Sequence, residues 1–172
     1  MKPPTLAPKA KLFLALMYKD KSTLEKAKQE LINEFGQIDR QSEEYKFNFT
    51  DYYEQEMGKN LKKFFISFKK TINRESLPDI RLTTAKIEKK FLNSNNRTIN
   101  IDSGYITLNN LVLATVKDRP HKVYLGKGIY ADLNLILKKK GAFDFPWTFK
   151  DYRLKQNQDF FNQVRNDLLK GK

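Results

Sequence analysis

Leu12-Phe13-Leu14-Ala15-Leu16-Met17 is an unbroken apolar run that follows a polar lead. Side chains of a strand alternate between the two faces of a sheet, so such a run leaves no polar face for water and is a buried-strand signal. It is far too short to span a bilayer. The rest of the chain has to be read as what surrounds this strand.

Upstream, residues 1–9 carry three prolines and read as an extended arm. Downstream, Ser22-Thr23-Leu24-Glu25 is a capping box, in which the Ser hydroxyl accepts from the first turn and Glu25 reaches back. Leu24, Ala27, Leu31 and Phe35 follow at helical spacing, and Gly36 ends the helix. Tyr45-Lys46-Phe47-Asn48-Phe49 alternates as a strand, and Lys63 to Ile72 is the next strand. Pro78 opens a helix bearing Ile80, Thr84, Ile87 and Phe91, which stops at Asn93-Ser94-Asn95-Asn96. Thr98 to Ile106 is strand-like. Leu108 to Val116 is predicted as a short helix with Leu108, Leu111, Val112 and Thr115 inward. Val123–Leu125 and Ile129–Leu137 make a hairpin around Gly126-Lys127-Gly128, with Tyr130, Asp132 and Asn134 opposite the apolar face. Phe145-Pro146-Trp147-Thr148-Phe149 is an aromatic irregular segment, and Phe160, Phe161, Val164 and Leu168 mark a closing amphipathic helix.

The order predicts a single α+β domain over residues 1–172. Its core would be a ferredoxin-like split βαβ (β-α-β-β-α-β), extended by a C-terminal hairpin and helix. The first and third strands, Leu12–Met17 and Phe64–Thr71, should then be adjacent, with both helices on one face of the sheet.

The chain has no cysteine, which excludes disulfides, thiolate metal sites and Cys nucleophiles and fits a reducing compartment. Met1-Lys2-Pro3-Pro4 lacks a signal-peptide apolar region, so a cytoplasmic protein without a membrane span is expected. Lys and Arg number 33 against 20 Asp and Glu, for a formal net charge of +13. Such a field attracts phosphates, nucleic acid or anionic lipid. Lysine outnumbers arginine 26 to 7. That balance equally matches a lysine-rich surface written by genome composition, and base recognition favours Arg's planar fork. Any nucleic-acid binding should therefore be weak and nonspecific.

No P-loop, Rossmann fingerprint, H-E-x-x-H or G-x-S-x-G is present. The single histidine, His121, excludes sites that need two. Three constellations could carry chemistry. Glu54 and Glu56, in Asp51–Gly58, would project together from an extended segment and act as acid/base or hold a hard cation, or simply be solvated. Asn100 and Asp102 share a face opposite Ile99 and Ile101, just before Gly104, which admits a ligand or a close backbone, or marks a bulge. Lys117, His121 and Lys122 form a basic connection that could bind phosphate with His121 as acid/base, or be an incidental basic loop.

The same stretches resemble the uncharacterised bacterial proteins grouped as domain-of-unknown-function family 4416. The likeness lies in Lys11–Phe13, Phe49–Gly58, Ile87-Glu88, Arg97–Tyr105, Leu113–Asp118, His121–Leu125, Gly128–Tyr130 and Pro146–Tyr152. It departs at Ser103, where a proline is usual, and Lys122, where an arginine is usual. The resemblance implies no activity, but it singles out polar and aromatic positions: Tyr53, Glu54, Glu56, Asn100, Asp102, Tyr105, Lys117, His121, Trp147, Asp151 and Tyr152. A pocket for an anionic, phosphorylated or nucleotide-like small molecule is the expectation that follows, with Asp102, Lys117 and His121 converging in one concave site and Glu54 or Glu56 nearby. Lys117, His121 and Lys122 would hold phosphate. Glu54, Glu56 or Asp102 would do acid/base work or hold Mg²⁺, and Tyr105 or Trp147 would stack on a base. The alternative is an RNA-binding module that stacks bases on Phe13 and Phe65, which would then lie on an open sheet face.

Overall fold

A computed structural model describes residues 3–171. The extended arm is seen from residue 3 onward, exposed and without regular structure; residues 1 and 2 lie outside the described residues. The elements are β1 (Ala10–Tyr18), α1 (Lys21–Phe35), β2 (Ile38–Gln41), β3 (Tyr45–Lys46), α2 (Glu54–Met57), β4 (Lys62–Ile72), α3 (Leu77–Lys90), β5 (Ile99–Ile106), β6 (Asn110–Thr115), β7 (Lys122–Gly126), β8 (Ile129–Leu137), β9 (Ala142–Asp144) and α4 (Lys155–Leu169). A 3₁₀ turn precedes α3 and another, Lys150–Arg153, precedes α4.

One antiparallel sheet runs β2-β4-β1-β5-β6-β8-β7, with β3 also on β4 and β9 also on β8. The α+β class holds, but the sheet has nine strands. Leu108–Val116 is not a helix: β6 pairs with β5 and β8 through it. Four consecutive apolar residues, Leu111 to Ala114, satisfy a helical stripe and a doubly covered strand equally well, and sheet partners on both sides decide it. Only Tyr45–Lys46 of the 45–49 stretch pairs as strand. Helix α1 is capped by Asp20, whose carboxylate accepts from Thr23 N at 2.7 Å, rather than by Ser22.

β1 lies between β4 and β5, and β1 and β4 are adjacent as expected. Leu12, Leu14, Leu16 and Tyr18 pack with Phe64, Ile66 and Phe68 under Leu24, Ala27 and Leu31 of α1 and Ile80 and Ile87 of α3. Both helices thus cover one face. The other face, with Phe13, Ala15 and Phe65, lies under Phe160, Phe161 and Val164 of α4. Phe13 and Phe65 are wholly buried.

The hairpin alternation breaks inside β8. Leu135 pairs with Leu111 but Leu133 pairs with Val112, so Asn134 is an extra residue. This bulge inverts the phase of the strand. Ile129, Ala131 and Leu133 face the α3 side, whereas Leu135 and Leu137 join the core under α4. Asp132 and Asn134, predicted on a polar face, are buried.

Gly104 serves packing. A Cβ there would sit 2.5 Å from Val112 O and 2.6 Å from the Phe13 ring. Gly104→Ala should lower the unfolding free energy by about 2–3 kcal/mol through overpacking, measured by equilibrium urea denaturation; an unchanged midpoint would show that the ring and strand give way freely.

Candidate functional site

α4 does not cover the whole second face. Beyond it, the segment 47–53 and the segment 146–153 close over β4 and β5 and leave a cavity of about 340 Å³. Phe47, Phe49, Tyr53 and Phe149 wall it, Lys63, Asp102 and Asp151 present polar groups to it, and Lys150 and Arg153 stand at its edge.

The 146–153 segment is held by the β8 bulge. β7 pairs with β8 up to Asp132 and β9 from Leu135 onward. The backbone carbonyls of Leu133 and Asn134, between them, are left for other donors. Trp147 Nε1 donates to Leu133 O at 2.9 Å, and Thr148 Oγ1 donates to Asn134 O.

The buried anchor is Lys63 with Asp151. Lys63 Nζ lies 2.6 Å from Asp151 Oδ2, and both side chains are nearly inaccessible. Tyr45 donates to the same oxygen at 2.9 Å. The ammonium also stands 5.0, 5.7 and 5.3 Å from the ring centres of Phe47, Phe65 and Tyr152. Ring faces are negative, so this cage attracts the Lys63 ammonium where water does not reach it. Asn157 Nδ2 holds the Asp151 carbonyl at 2.8 Å.

Asp102 faces the same side as Ala15, its partner on β1. Asn100 Nδ2 donates to its Oδ2 at 3.0 Å. Arg97 donates to Asn100 Oδ1 and clamps Glu56, at 2.8 Å from Nε to Oε1 and 2.6 Å from Nη2 to Oε2. A polar chain therefore runs Glu56–Arg97–Asn100–Asp102 into the cavity. Burial, reinforced by negative neighbours including Asp102, pushes the phenols of Tyr53 and Tyr152 above the ordinary tyrosine range. The Tyr152 hydroxyl is buried without a hydrogen-bond partner. The hydrogen bonds from Arg97 hold the Glu56 carboxyl below its usual range.

The other sequence candidates fall elsewhere. Glu54 and Glu56 do not project together, because residues 54–57 form a helical turn: Glu56 is tied to Arg97 and Glu54 is exposed. Lys117 Nζ stands 4.8 Å above the Tyr52 ring, which packs edge-on against Tyr53. His121 stacks on Trp147 at 4.6 Å, with Nε2 3.8 Å from Asp132 Oδ1. Lys122 pairs with Asp132 at 3.2 Å. These groups border the cavity's flanks rather than line it. Tyr105 lies on the opposite face, packed toward Leu77 and Val112. Among the described residues no group of three or more His, Asp and Glu side chains could hold a metal ion, and no helix is long and apolar enough to cross a membrane.

Lys63 and Tyr45 went unrecognised in the sequence. Each sits in an ordinary strand pattern, and each meets Asp151 only through the fold. Asp151 itself was marked by the family resemblance alone.

Removing one partner of a buried pair strands the other charge, whereas replacing both with neutral groups does not. Asp151→Asn should cost about 3–5 kcal/mol of stability, and the double variant K63M/D151N should regain most of it in chemical denaturation; equal losses in both would mean that the ion pair is not what anchors the segment. Glu56 ionises at lower pH folded than unfolded, so its pairing stabilises the fold above about pH 4.3. That contribution is lost as pH falls through the depressed value. The stability gap between the parent and Glu56→Gln should therefore close on acidification, followed by thermal melts across acid pH; a constant gap would refute the linkage.

The family model described as Domain of unknown function (DUF4416) matches residues 8–168. No curated protein and no solved structure gives a significant match.

Proposed function

The chain belongs to the DUF4416 family, and from that premise we propose that its cavity binds a phosphorylated, nucleotide-like small molecule. The observation that carries this reading is the combination at one opening: aromatic walls from Phe47, Phe49 and Phe149, the Asp102 carboxylate within, and Lys150 and Arg153 at the edge. A flat ring buries its faces against aromatic side chains. Ring N–H donors would bond Asp102, whose Oδ1 has no hydrogen-bond partner among the described residues. An anionic tail would lie toward Lys150 and Arg153, although Arg153 already pairs with Asp144 at 2.8 Å and would have to be shared. Lys117, His121 and Lys122, the phosphate ligands expected from the sequence, fit this arrangement less well because they lie outside the lining.

The strand order β2-β4-β1-β5, with α1 and α3 together on one face, supports reading the core as a ferredoxin-like split βαβ unit. We propose that the remaining strands are an extension of such a unit, and that α4 closes the face that such domains leave open. An RNA-binding module of the sheet-stacking kind needs that face open; burial of Phe13 and Phe65 speaks for the pocket reading instead. The lack of cysteine suits a reducing, cytoplasmic setting.

Trp147, the single tryptophan, lies between two residues that line the cavity. Titrating nucleoside monophosphates against its fluorescence should give saturable changes. Asp102→Asn should weaken that binding about tenfold or more, since a hydrogen bond to a charged group contributes about 1.5–3 kcal/mol. A flat titration with every base, or an Asp102→Asn variant that binds unchanged, would remove the proposal.

A further inference from the structure

Exposed aromatic side chains are not scattered over this surface. Among the described residues the exposed large aromatics are Tyr52, Tyr124, Phe143, Trp147 and Phe149, and all but Tyr124 adjoin the cavity or the ring stack beside it. Phe143 meets Phe145 edge-on at 5.5 Å, Phe145 stacks on Trp147 at 4.9 Å, and Trp147 stacks on His121. This ladder leads from Pro146 at the cavity wall to the β8–β9 turn. Phe143 there is 51% exposed, and Lys138 Nζ lies 5.8 Å from its ring centre.

The charge beside these rings is mostly positive, with Lys122, Lys127 and Lys155 paired to Asp132, Asp79 and Asp159. Residues 117–127 and 138–155 together hold ten Lys and Arg against three Asp. Of those three, Asp151 is buried against Lys63 and Asp144 is neutralised by Arg153. Lys138, Lys139 and Lys140 sit in succession on the turn and are all exposed. A lysine-rich composition raises the charge of every surface. It does not gather exposed aromatics beside the Lys138–Lys140 turn, where exposed rings cost solvation unless something covers them.

We propose that the ligand of the cavity is a nucleotide within a single-stranded nucleic acid, whose neighbouring nucleotides run along the Phe143–Trp147 ladder and the Lys138–Lys140 turn. This rests on the nucleotide reading of the cavity. The chemistry is that of nonspecific single-strand binding, in which a basic track neutralises phosphates and rings contact successive bases. A duplex keeps its bases stacked on each other and offers the ladder only its backbone. The platform lies outside the sheet core, so the buried state of Phe13 and Phe65 does not oppose it.

The test is fluorescence anisotropy with a labelled oligouridylate and a labelled oligothymidylate of about 12 nucleotides, alongside the mononucleotide titration. Either single strand should bind at least about tenfold tighter than the mononucleotide and tighter than a duplex of equal length, as one added base contact is worth about 1–3 kcal/mol. Affinity should fall steeply between about 50 and 200 mM salt. A triple Lys138→Glu, Lys139→Glu, Lys140→Glu variant and Phe143→Ala should each lower oligonucleotide affinity while leaving mononucleotide affinity and the thermal midpoint unchanged. Asp102→Asn should weaken both ligands. Mononucleotide binding with no gain for the oligonucleotide would overturn this inference and spare the cavity reading. Failure of both ligands would sink the cavity reading with it. Oligonucleotide binding indifferent to Asp102→Asn would detach the ladder from the cavity. Equal affinity for the duplex, or binding of phosphatidylserine vesicles without any oligonucleotide binding, would assign the patch to another partner and reject the inference.

Discussion

A central strand without a polar face cannot be left half in water, and β1 has none. Leu12, Leu14, Leu16 and Tyr18 point one way; Phe13, Ala15 and Met17 point the other. Each large buried side chain is worth about 1.5–3 kcal/mol only while its layer is in place. The first layer comes cheaply, because α1 and α3 directly follow the strands they cover. The second has to be brought from the far end of the chain. α4 covers Phe13 and Phe65, and the rest of that face is left to loops, which pack less completely than a helix. The cavity is the remainder of this second layer.

What keeps the remainder open and polar is the floor beneath it. A lysine and an aspartate taken out of water gain little against an apolar pair of the same size. Lys63 and Asp151 are therefore weak evidence for stability as such, and better evidence for position. Their contact joins β4 to the 3₁₀ turn ahead of α4, and Tyr45 and Asn157 fix the carboxylate and its own backbone. The bulge at Asn134 does the matching task at the other end of the segment by freeing two carbonyls. Between these two fastenings, Asp102 can be set among tyrosines with half of its carboxylate still uncommitted.

Much of this architecture is legible in the residues. The apolar run of β1, the spacing of Leu24, Ala27 and Leu31, the Pro78 helix start and the glycine turn at 126–128 are local signals, and each is found in place. Leu111–Ala114 was not decidable locally, since a short apolar run carries no period. β2, with the sequence Ile38-Asp39-Arg40-Gln41, has almost no hydrophobic signal and exists because the β4 edge accepts it. The phase of β8 was misread at Asn134, because alternation in sequence continues through a bulge while alternation in space does not. The site divides in the same way. Asp102 and Asn100 were readable as one polar face of a strand. Arg97 and Lys63 were not, since nothing near either residue announces its partner 41 or 88 positions away.

That 88-residue separation has a consequence in time. During synthesis the N-terminal end emerges first, and β1, α1, β4 and α3 can assemble with their apolar layer complete. The opposite face, with Phe13 and Phe65, has no cover until Asp151 and the residues of α4 leave the ribosome. Until then the nascent chain carries an open aromatic sheet surface, the very surface that the finished protein conceals. Residues 146–169 both finish the cavity and hide that surface, so a chain truncated before Pro146 would lack the cavity's outer wall and leave the aromatic sheet face uncovered in the same step.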